Sequence, residues 1–289
     1  MAPATQTGGM TNTHLETTGV TRRLVRYRPQ AAKDEIQIEY ADQGAGPVVC
    51  MLPSLARSGR DYDVVARHLQ AQGLRVLRPE PRGIGQSRGP MQGLTLHDFA
   101  ADVAAVIDHE ATGPVVVVGH AWGSQPARML ATDRPDLVRG VVMAAASAGK
   151  LPPGSDEKPY GRLRDAIDGA GDARLSREQR LDCLRRAFFA PGHDPSAWLD
   201  GWNAQAHEAQ GHARRVTPVD DYFSAGTTVP ILDLRAEHDA VVIPHVMKSC
   251  LGERVTEQVI ADAGHALAPE QPLAMADAIA AFTRRVYAA

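Results

Sequence analysis

The sequence predicts an α/β protein in which helices cover both faces of a mostly parallel central sheet and a helical cap is inserted late in the chain. Two observations carry this prediction. Short apolar runs, among them residues 48–52 and 114–118, alternate with segments in which apolar residues recur at helical spacing. The second of these runs consists of a proline and four valines, which is typical of a parallel strand buried on both faces.

Each element is predicted from its local pattern. The predicted strands alternate in polarity or are continuously apolar, and they cover residues 22–28, 35–40, 48–52, 74–77, 114–118, 138–146, 229–234 and 255–260. The predicted helices repeat apolar residues three and four positions apart, and they cover residues 62–72, 94–110, 124–132 and 272–287. A turn is expected over residues 42–47. Strands that alternate with helices in this way form parallel sheets through right-handed crossovers.

The region between the predicted strands at residues 138–146 and 229–234 has a different pattern. Proline and glycine separate helical pieces there, including residues 174–189 and 196–213, and the pattern contains no buried strand. We therefore expect a disordered leader over residues 1–20, a sheet-based core formed by residues 21–149 and 229–289, and a helical cap over residues 150–228.

Composition and charge exclude several classes of function. A chain of 289 residues with 44% hydrophobic and 22% charged residues can bury a large core. Its formal net charge of -3 gives no electrostatic reason to expect binding to nucleic acid or to an anionic membrane, and its apolar runs are too short to span a bilayer. The leader lacks the features of a secretory signal. Three widely spaced cysteines fit a reducing compartment, so we expect a cytoplasmic protein.

A sharp turn is predicted where the valine strand meets the next helix, at Gly119-His120-Ala121-Trp122-Gly123. Glycine is needed at both ends, because side chains there would collide with the strand or the helix, and the middle residue is held in a strained conformation. The segment resembles the nucleophile elbow G-x-S-x-G of the α/β-hydrolase family, in particular of its serine esterases and lactonases. Ala121 occupies the serine position.

The resemblance implies the rest of a catalytic site. In this family an acid and then a histidine follow the nucleophile along the chain, which assigns the roles to Asp239 and His265, each just after a predicted strand. The histidine takes a proton from a nucleophile or from water, and the carboxylate orients it. The oxyanion hole is expected from the backbone N–H groups of Trp122 and Leu55. The chain departs from its relatives at Pro53-Ser54, where many carry His-Gly.

Alanine at position 121 cannot form an acyl-enzyme, and three explanations follow. In the first, a serine was replaced. In the second, alanine is native, and the protein activates water through His265, catalyses a non-hydrolytic reaction or only binds a ligand. In the third, an aspartate was replaced, because Gly-His-Asp-Trp-Gly resembles the elbow of haloalkane dehalogenases and epoxide hydrolases. We rank the first two close together and ahead of the third, since the His-Gly-x-Pro loop usual in the third group is absent.

The predicted ligand is a small molecule with an apolar part. Aromatic residues of the cap are expected to line the pocket, with Phe189, Trp198 and Trp202 as candidates, and Arg57 is a candidate to receive a substrate carboxylate. The histidine spacing does not suggest a metal site, and neither a phosphate loop nor a dinucleotide fingerprint is found, so we expect no metal and no cofactor. The sequence is compatible with a homodimer.

The resemblance implies a hydrolase of an ester, lactone or related acyl bond. Because Ala121 provides no attacking atom, we expect the chain as given to be inactive or impaired.

Overall fold

The computed structural model describes residues 19–29, 34–152, 154–155 and 159–289. Within them, eight strands form one sheet in the order β1-β2-β4-β3-β5-β6-β7-β8. The strands are β1 (Val20–Tyr27), β2 (Ile36–Gln43), β3 (Val48–Leu52), β4 (Arg75–Pro79), β5 (Val115–His120), β6 (Val138–Ala144), β7 (Ile231–Ala236) and β8 (Val255–Ile260). The pairings of β2 with β1 and with β4 are antiparallel and all others are parallel, which confirms the predicted mostly parallel sheet.

Helices cover both faces of this sheet. They are α1 (Asp63–Ala71), α2 (Leu96–Glu110), α3 (Ser124–Asp133), α4 (Pro159–Arg162), α5 (Arg164–Ala170), α6 (Arg177–Ala187), α7 (Ala204–Val216), α8 (Val219–Tyr222), α9 (Val246–Leu251), α10 (Leu267–Glu270) and α11 (Pro272–Ala288). No helix within the described ranges is both long and apolar enough to cross a membrane.

The valine strand β5 shows how one sequence pattern serves two cores. Val115 and Val117 join the apolar cluster that contains α2 and α3, whereas Val116 and Val118 join the cluster that contains α1 and α11. Successive side chains of a strand point to opposite faces, so a strand covered on both sides must be apolar at every position. This burial fixes β5 in the middle of the sheet.

The segment between β6 and β7 contains α4 to α8 and, in its described residues, no strand. We call residues 150–228 the helical insertion. Its apolar cluster, which includes Leu184, Phe188 and Trp198, also contains Val241 and Ala266 from the loops after β7 and β8. The insertion therefore packs over the carboxyl ends of these two strands, and its division from the core at residues 150 and 228 stays a prediction.

Three local expectations differ from the structure. The predicted leader, residues 1–20, lies outside the described residues except for its last two, and the second of these, Val20, already begins β1. Residues 42 and 43, predicted in a turn, belong to β2, where they pair with both neighbouring strands. The helix predicted over residues 196–213 is interrupted, because Gly201 has a φ of 86°, which a right-handed helix excludes. The helix α7 starts afresh at Ala204 behind an Asn203 cap.

Candidate active site

The turn from β5 into α3 has the geometry of a strained elbow. Ala121 has a φ of 48°, in the left-handed region that residues with a Cβ atom rarely adopt. The flanking glycines permit it: a Cβ atom on Gly119 would lie 2.4 Å from Ser124 Cα, and one on Gly123 would lie 2.6 Å from the Leu52 carbonyl oxygen. The backbone thus presents residue 121 at the carboxyl end of β5, although alanine has no reactive group to present.

Asp239 and His265 lie together beside this elbow. Asp239 follows β7, His265 follows β8, and His265 Nδ1 is 3.0 Å and 3.2 Å from the two carboxylate oxygens of Asp239. The side chains are almost fully buried, with relative exposures of 6% and 5%. The Nδ1–H group therefore donates to the carboxylate, and Nε2 remains as a proton acceptor.

Two backbone groups hold the carboxylate in place. The N–H groups of Val241 and Val242 donate to Asp239 Oδ1 at 2.8 Å and 3.1 Å. A carboxylate fixed in this way keeps the histidine ring in one tautomer and one orientation.

Ala121 and His265 line the same cavity, which we call the Ala121 cavity. Its volume is about 280 Å³. It is lined by Ser54, Leu55, Ala121, Trp122, Gln125, Ser147, Gly149, Ile167, Phe188, Trp202, Arg214, Val219, Tyr222, Val241 and His265. The sheet side of the chain and the helical insertion both contribute, so the cavity lies between them.

The two predicted oxyanion donors, Leu55 and Trp122, both line this cavity. The N–H groups on either side of Leu55 are already used: that of Ser54 donates to the Tyr62 hydroxyl, and that of Ala56 donates to Gln210 Oε1. Within the described part of the chain, the Leu55 N–H makes no hydrogen bond. It is therefore available to a ligand atom.

Gln210, on α7, is a site residue that sequence reasoning missed. Its Oε1 accepts a hydrogen bond from Ala56 at 2.7 Å, and its backbone carbonyl accepts one from the Trp122 indole at 3.3 Å. The side chain is fully buried. One residue of the insertion thus holds both predicted oxyanion segments, and no local sequence signal could have identified it, because 154 positions separate it from Ala56.

His120 has a structural role in the elbow. Its Nε2 lies 2.7 Å from the backbone carbonyl of His265, so it must donate there, and its Nδ1 accepts from the Tyr62 hydroxyl at 2.7 Å. Burial, with a further contribution from the nearby His265, lowers the pKa of His120 to about 3. The neutral ring ties the elbow to the loop that carries the candidate base.

Glu270 is a second residue that the sequence analysis did not identify. Its carboxylate accepts hydrogen bonds from the N–H groups of Ala190, at 2.6 Å, and Gly264, at 2.8 Å. The Ala266 N–H donates to the carbonyl of Phe188 at 2.8 Å. These bonds on either side of His265 fix its loop against the insertion.

Arg57 does not lie where a receiver of substrate carboxylate was expected. Its guanidinium is buried between the rings of Trp198 and Trp202, at 5.1 Å and 5.0 Å from their centroids. It forms an ion pair with Asp61 at 2.7 Å and donates to the carbonyls of Trp198 and Asp200. These partners satisfy the cation, so Arg57 attaches the insertion to the sheet and does not face the Ala121 cavity.

The aromatic candidates separate into two groups. Trp202 lines the Ala121 cavity, whereas Phe189 and Trp198 pack against each other with ring centroids 6.0 Å apart and do not line it. Phe188 lines the cavity in place of the expected Phe189. Among the residues that the structure describes, no cluster of His, Cys, Asp or Glu is arranged to hold a metal ion.

Comparisons with known proteins agree with this architecture. The family model described as alpha/beta hydrolase fold matches residues 47–272. A non-heme haloperoxidase from Rhodococcus erythropolis is 30% identical over 228 residues, which is 73% of this chain and 81% of that protein. A soluble epoxide hydrolase from Corynebacterium sp. (strain C12) is 30% identical over 125 residues, 43% of each chain.

Among solved structures, a thermophilic esterase from Thermogutta terrifontis superposes with a TM-score of 0.71 at 24% identity, covering 91% of this chain and 99% of that one. The likeness concerns the fold. Together with the family match and the elbow at Ala121, it leads to one conclusion: the chain belongs to the α/β hydrolase fold family.

Proposed function

We propose that this protein is a hydrolase of an ester, lactone or related acyl bond, with Ala121 at the position from which a serine would attack. The observation that carries the proposal is the convergence of the elbow, the His265–Asp239 pair and the two oxyanion segments on one cavity. Acyl transfer needs these parts: a base, a group that orients it, and N–H donors for the developing oxyanion.

In the chain as given, water is the nucleophile that the site would use. His265 Nε2 accepts a proton from a water molecule as the water oxygen attacks the acyl carbon, and Asp239 stabilises the resulting imidazolium. The N–H groups of Leu55 and Trp122 stabilise the negative oxygen of the tetrahedral intermediate. The imidazolium then donates its proton to the leaving oxygen. Hydrolases from which a triad residue has been removed still accelerate hydrolysis roughly 10³–10⁴-fold relative to the reaction in water. We expect the same rate enhancement from the chain as given.

With serine at position 121, the same groups would support the covalent route. His265 would take the proton from the serine hydroxyl, an acyl-enzyme would form, and water would release it in a second step. We infer that this is the complete form of the site.

We further propose that the helical insertion acts as a cap that selects the substrate. Ile167, Phe188 and Trp202, all from the insertion, contribute apolar surface to the Ala121 cavity. Apolar side chains of this kind bind the hydrocarbon part of a ligand, while a few polar groups set its orientation.

The test compares hydrolysis of short activated esters and lactones by three proteins: the chain as given, Ala121→Ser, and the double variant Ala121→Ser/His265→Ala. We expect a rate increase and a burst of the alcohol product only for Ala121→Ser. Rapid turnover by the chain as given would contradict the replaced serine and support water activation. Silence from all three would overturn the acyl-hydrolase proposal and favour a ligand-binding protein.

A second function receives support from the similarity to epoxide hydrolases, among them the soluble epoxide hydrolase matched over 125 residues. In that case an aspartate at position 121 would attack an epoxide carbon. The variant Ala121→Asp, assayed with styrene oxide beside Ala121→Ser, separates the two functions: diol formation by the aspartate variant alone would replace the acyl-hydrolase proposal with this one.

A further inference from the structure

A second cavity, with a volume of about 620 Å³, lies beside the Ala121 cavity. Two residues of the helical insertion, Ile167 and Trp202, line both of them. On the sheet side, Leu55 lines the Ala121 cavity and its neighbour Ala56 lines the second one. Ile167 and Trp202 therefore stand between the two spaces.

We call this second space the outer cavity, because exposed residues line it. Asp168, Arg174 and Ala204 contribute to its lining, and all three are exposed. Ile167, at the partition, is only 6% exposed. Water thus reaches the outer cavity as far as an apolar partition, and the Ala121 cavity with His265 lies on the other side.

The ring of Trp202 reaches from one cavity to the other. On the Ala121 side its centroid lies 6.1 Å from that of Phe188, which lines that cavity. On the outer side it packs on Gly171, where a Cβ atom would lie 2.9 Å from the ring. Glycine at position 171 leaves room for the ring, and the ring occupies the space between the two cavities.

Specific contacts hold this ring in place. Its N–H group donates to the Trp198 carbonyl at 2.6 Å, and the Arg57 guanidinium carbon lies 5.0 Å from its centroid. The next residue, Asn203, donates its backbone N–H to the Ala56 carbonyl at 3.1 Å. Together these contacts fix both the ring and the backbone that carries it, so Trp202 is a fixed wall.

The size of the Ala121 cavity determines what this wall does to a ligand. Its volume of about 280 Å³ is near the lower end of the roughly 300–1,000 Å³ of pockets that hold drug-sized ligands. Each methylene group that can be buried strengthens binding about fourfold. A hydrocarbon arm too long for the cavity meets the indole ring, so its last methylene groups gain no such contribution.

From this arrangement we infer that Trp202 is a specificity-determining residue: it closes the Ala121 cavity, restricts the site to substrates with a short hydrocarbon arm, and separates that arm from the outer cavity. Without the indole ring the two cavities would join, and a long arm could extend into the outer one. The inference rests on the proposed function, since it concerns the substrate of the same site.

Kinetics in an Ala121→Ser background test this. The pair 4-nitrophenyl butyrate and 4-nitrophenyl octanoate varies the acyl arm, and the pair butyl acetate and octyl acetate varies the alcohol arm. We expect Trp202→Ala to raise the ratio of kcat/KM for the long ester to that for the short one by about tenfold or more in the pair whose arm faces the ring, because four further methylene groups gain room.

Three other variants show where the restriction arises. Trp202→Phe keeps an aromatic wall and should leave the ratio within about threefold of the parent. Ile167→Ala opens the partition at its other residue and should raise the ratio severalfold, which keeps the test intact if Trp202→Ala does not fold. The control Phe189→Ala removes a buried ring of the insertion that lines neither cavity, and should leave the ratio unchanged. Circular dichroism melts report whether each variant is folded.

A binding measurement needs no turnover. The amides that correspond to the four esters are titrated by calorimetry into the chain as given and into its Trp202→Ala variant, and the long amide should gain affinity relative to the short one only in the variant. Unchanged ratios in both pairs, no binding of any amide, or an equal change in Phe189→Ala would overturn the inference.

Failure of this inference is distinguishable from failure of the proposed function. A length preference in amide binding that shifts in Trp202→Ala, beside an inert Ala121→Ser variant, would contradict the hydrolase alone. Ester hydrolysis by Ala121→Ser with ratios that do not respond to Trp202→Ala or Ile167→Ala would contradict only the length restriction.

Discussion

The Ala121 cavity is built from two regions that differ in how their residues are held. On the sheet side, the elbow, Asp239 and His265 sit at the ends of β5, β7 and β8, where backbone N–H groups hold the Asp239 carboxylate and close glycine packing fixes the elbow. On the insertion side, Gln210 and Arg214 lie on α7, which Gln210 attaches to the sheet side through hydrogen bonds with Ala56 and Trp122. In our proposal, the reaction therefore belongs to the sheet and the choice of substrate to the insertion.

The largest effect is expected when the base on the sheet side of the site is removed. In an Ala121→Ser background, His265→Ala removes the base, and we expect kcat/KM for an activated ester to fall by about 10³-fold or more, because proton transfer alone contributes about 10²–10⁴-fold. The control is His238→Ala in the same background, since His238 is close in sequence but 47% exposed. An equal loss in both variants would contradict the assignment of His265.

The next largest effect is expected when the attachment of the insertion to the sheet is weakened. Arg57→Met leaves the Asp61 carboxylate without its cation, and because that side chain is 16% exposed we expect a cost below the roughly 3–5 kcal/mol of breaking a fully buried pair. We expect limited proteolysis to cleave within residues 150–228 first, with KM rising more than kcat falls in the serine background. Arg60→Met, at an exposed position of the same loop, is the matched control. A selective loss of kcat with unchanged KM would contradict the division of roles.

Substitution of an elbow glycine tests how closely the sheet side of the site is packed. In Gly123→Ala the new methyl group would lie 2.6 Å from the carbonyl oxygens of Leu52 and Pro53, so backbone must move. Overpacking of this kind costs about 1–3 kcal/mol, measured as a lower free energy of unfolding in urea. Gly211→Ala, in the middle of α7, should be neutral or stabilising, because alanine favours the helix. Equal stabilities of the two variants would contradict the elbow geometry.

The smallest effect concerns a buried carboxyl on β7. Burial raises the pKa of Asp233 to about 6 from its ordinary value of 3.8, and its Oδ1 lacks a partner. A raised folded-state pKa means that the stability contributed by the protonated group is present below pH 3.8 and is lost as the pH rises through about 6.

We therefore expect Asp233→Asn to gain roughly 1–3 kcal/mol relative to the parent between pH 4 and pH 7, measured by urea unfolding across that range. Glu253→Gln, at a fully exposed side chain, should show no such trend. A parent whose stability rises over this interval relative to Asp233→Asn would contradict the burial argument.

The same two regions explain what the sequence could predict. The sheet and the elbow were accessible because their signals are local: the valines of β5 must be apolar on both faces, and Gly119 and Gly123 have no room for a Cβ atom. Asp239 and His265 follow directly after strands, and the structure brings them together as the resemblance implies.

The insertion was less accessible because its contacts are long-range. Apolar spacing did not predict that the helix is interrupted at Gly201, because the break depends on the backbone angle φ of that residue. Arg57 looked available for a ligand because its aromatic partners lie more than a hundred positions away in the chain. Gln210 and Arg214 are ordinary polar residues in α7, and only the packing of that helix over the sheet brings Gln210 to Ala56 and Arg214 to the cavity.

The most direct test of the central claim is covalent labelling of position 121. A fluorophosphonate ester reacts with activated serines, and intact-protein mass spectrometry counts the adducts. We predict one adduct on Ala121→Ser, and none on the chain as given or on Ala121→Ser/His265→Ala. An unlabelled Ala121→Ser variant that is folded, or labelling that persists without His265, would contradict the claim that residue 121 is the nucleophile position of an acyl hydrolase.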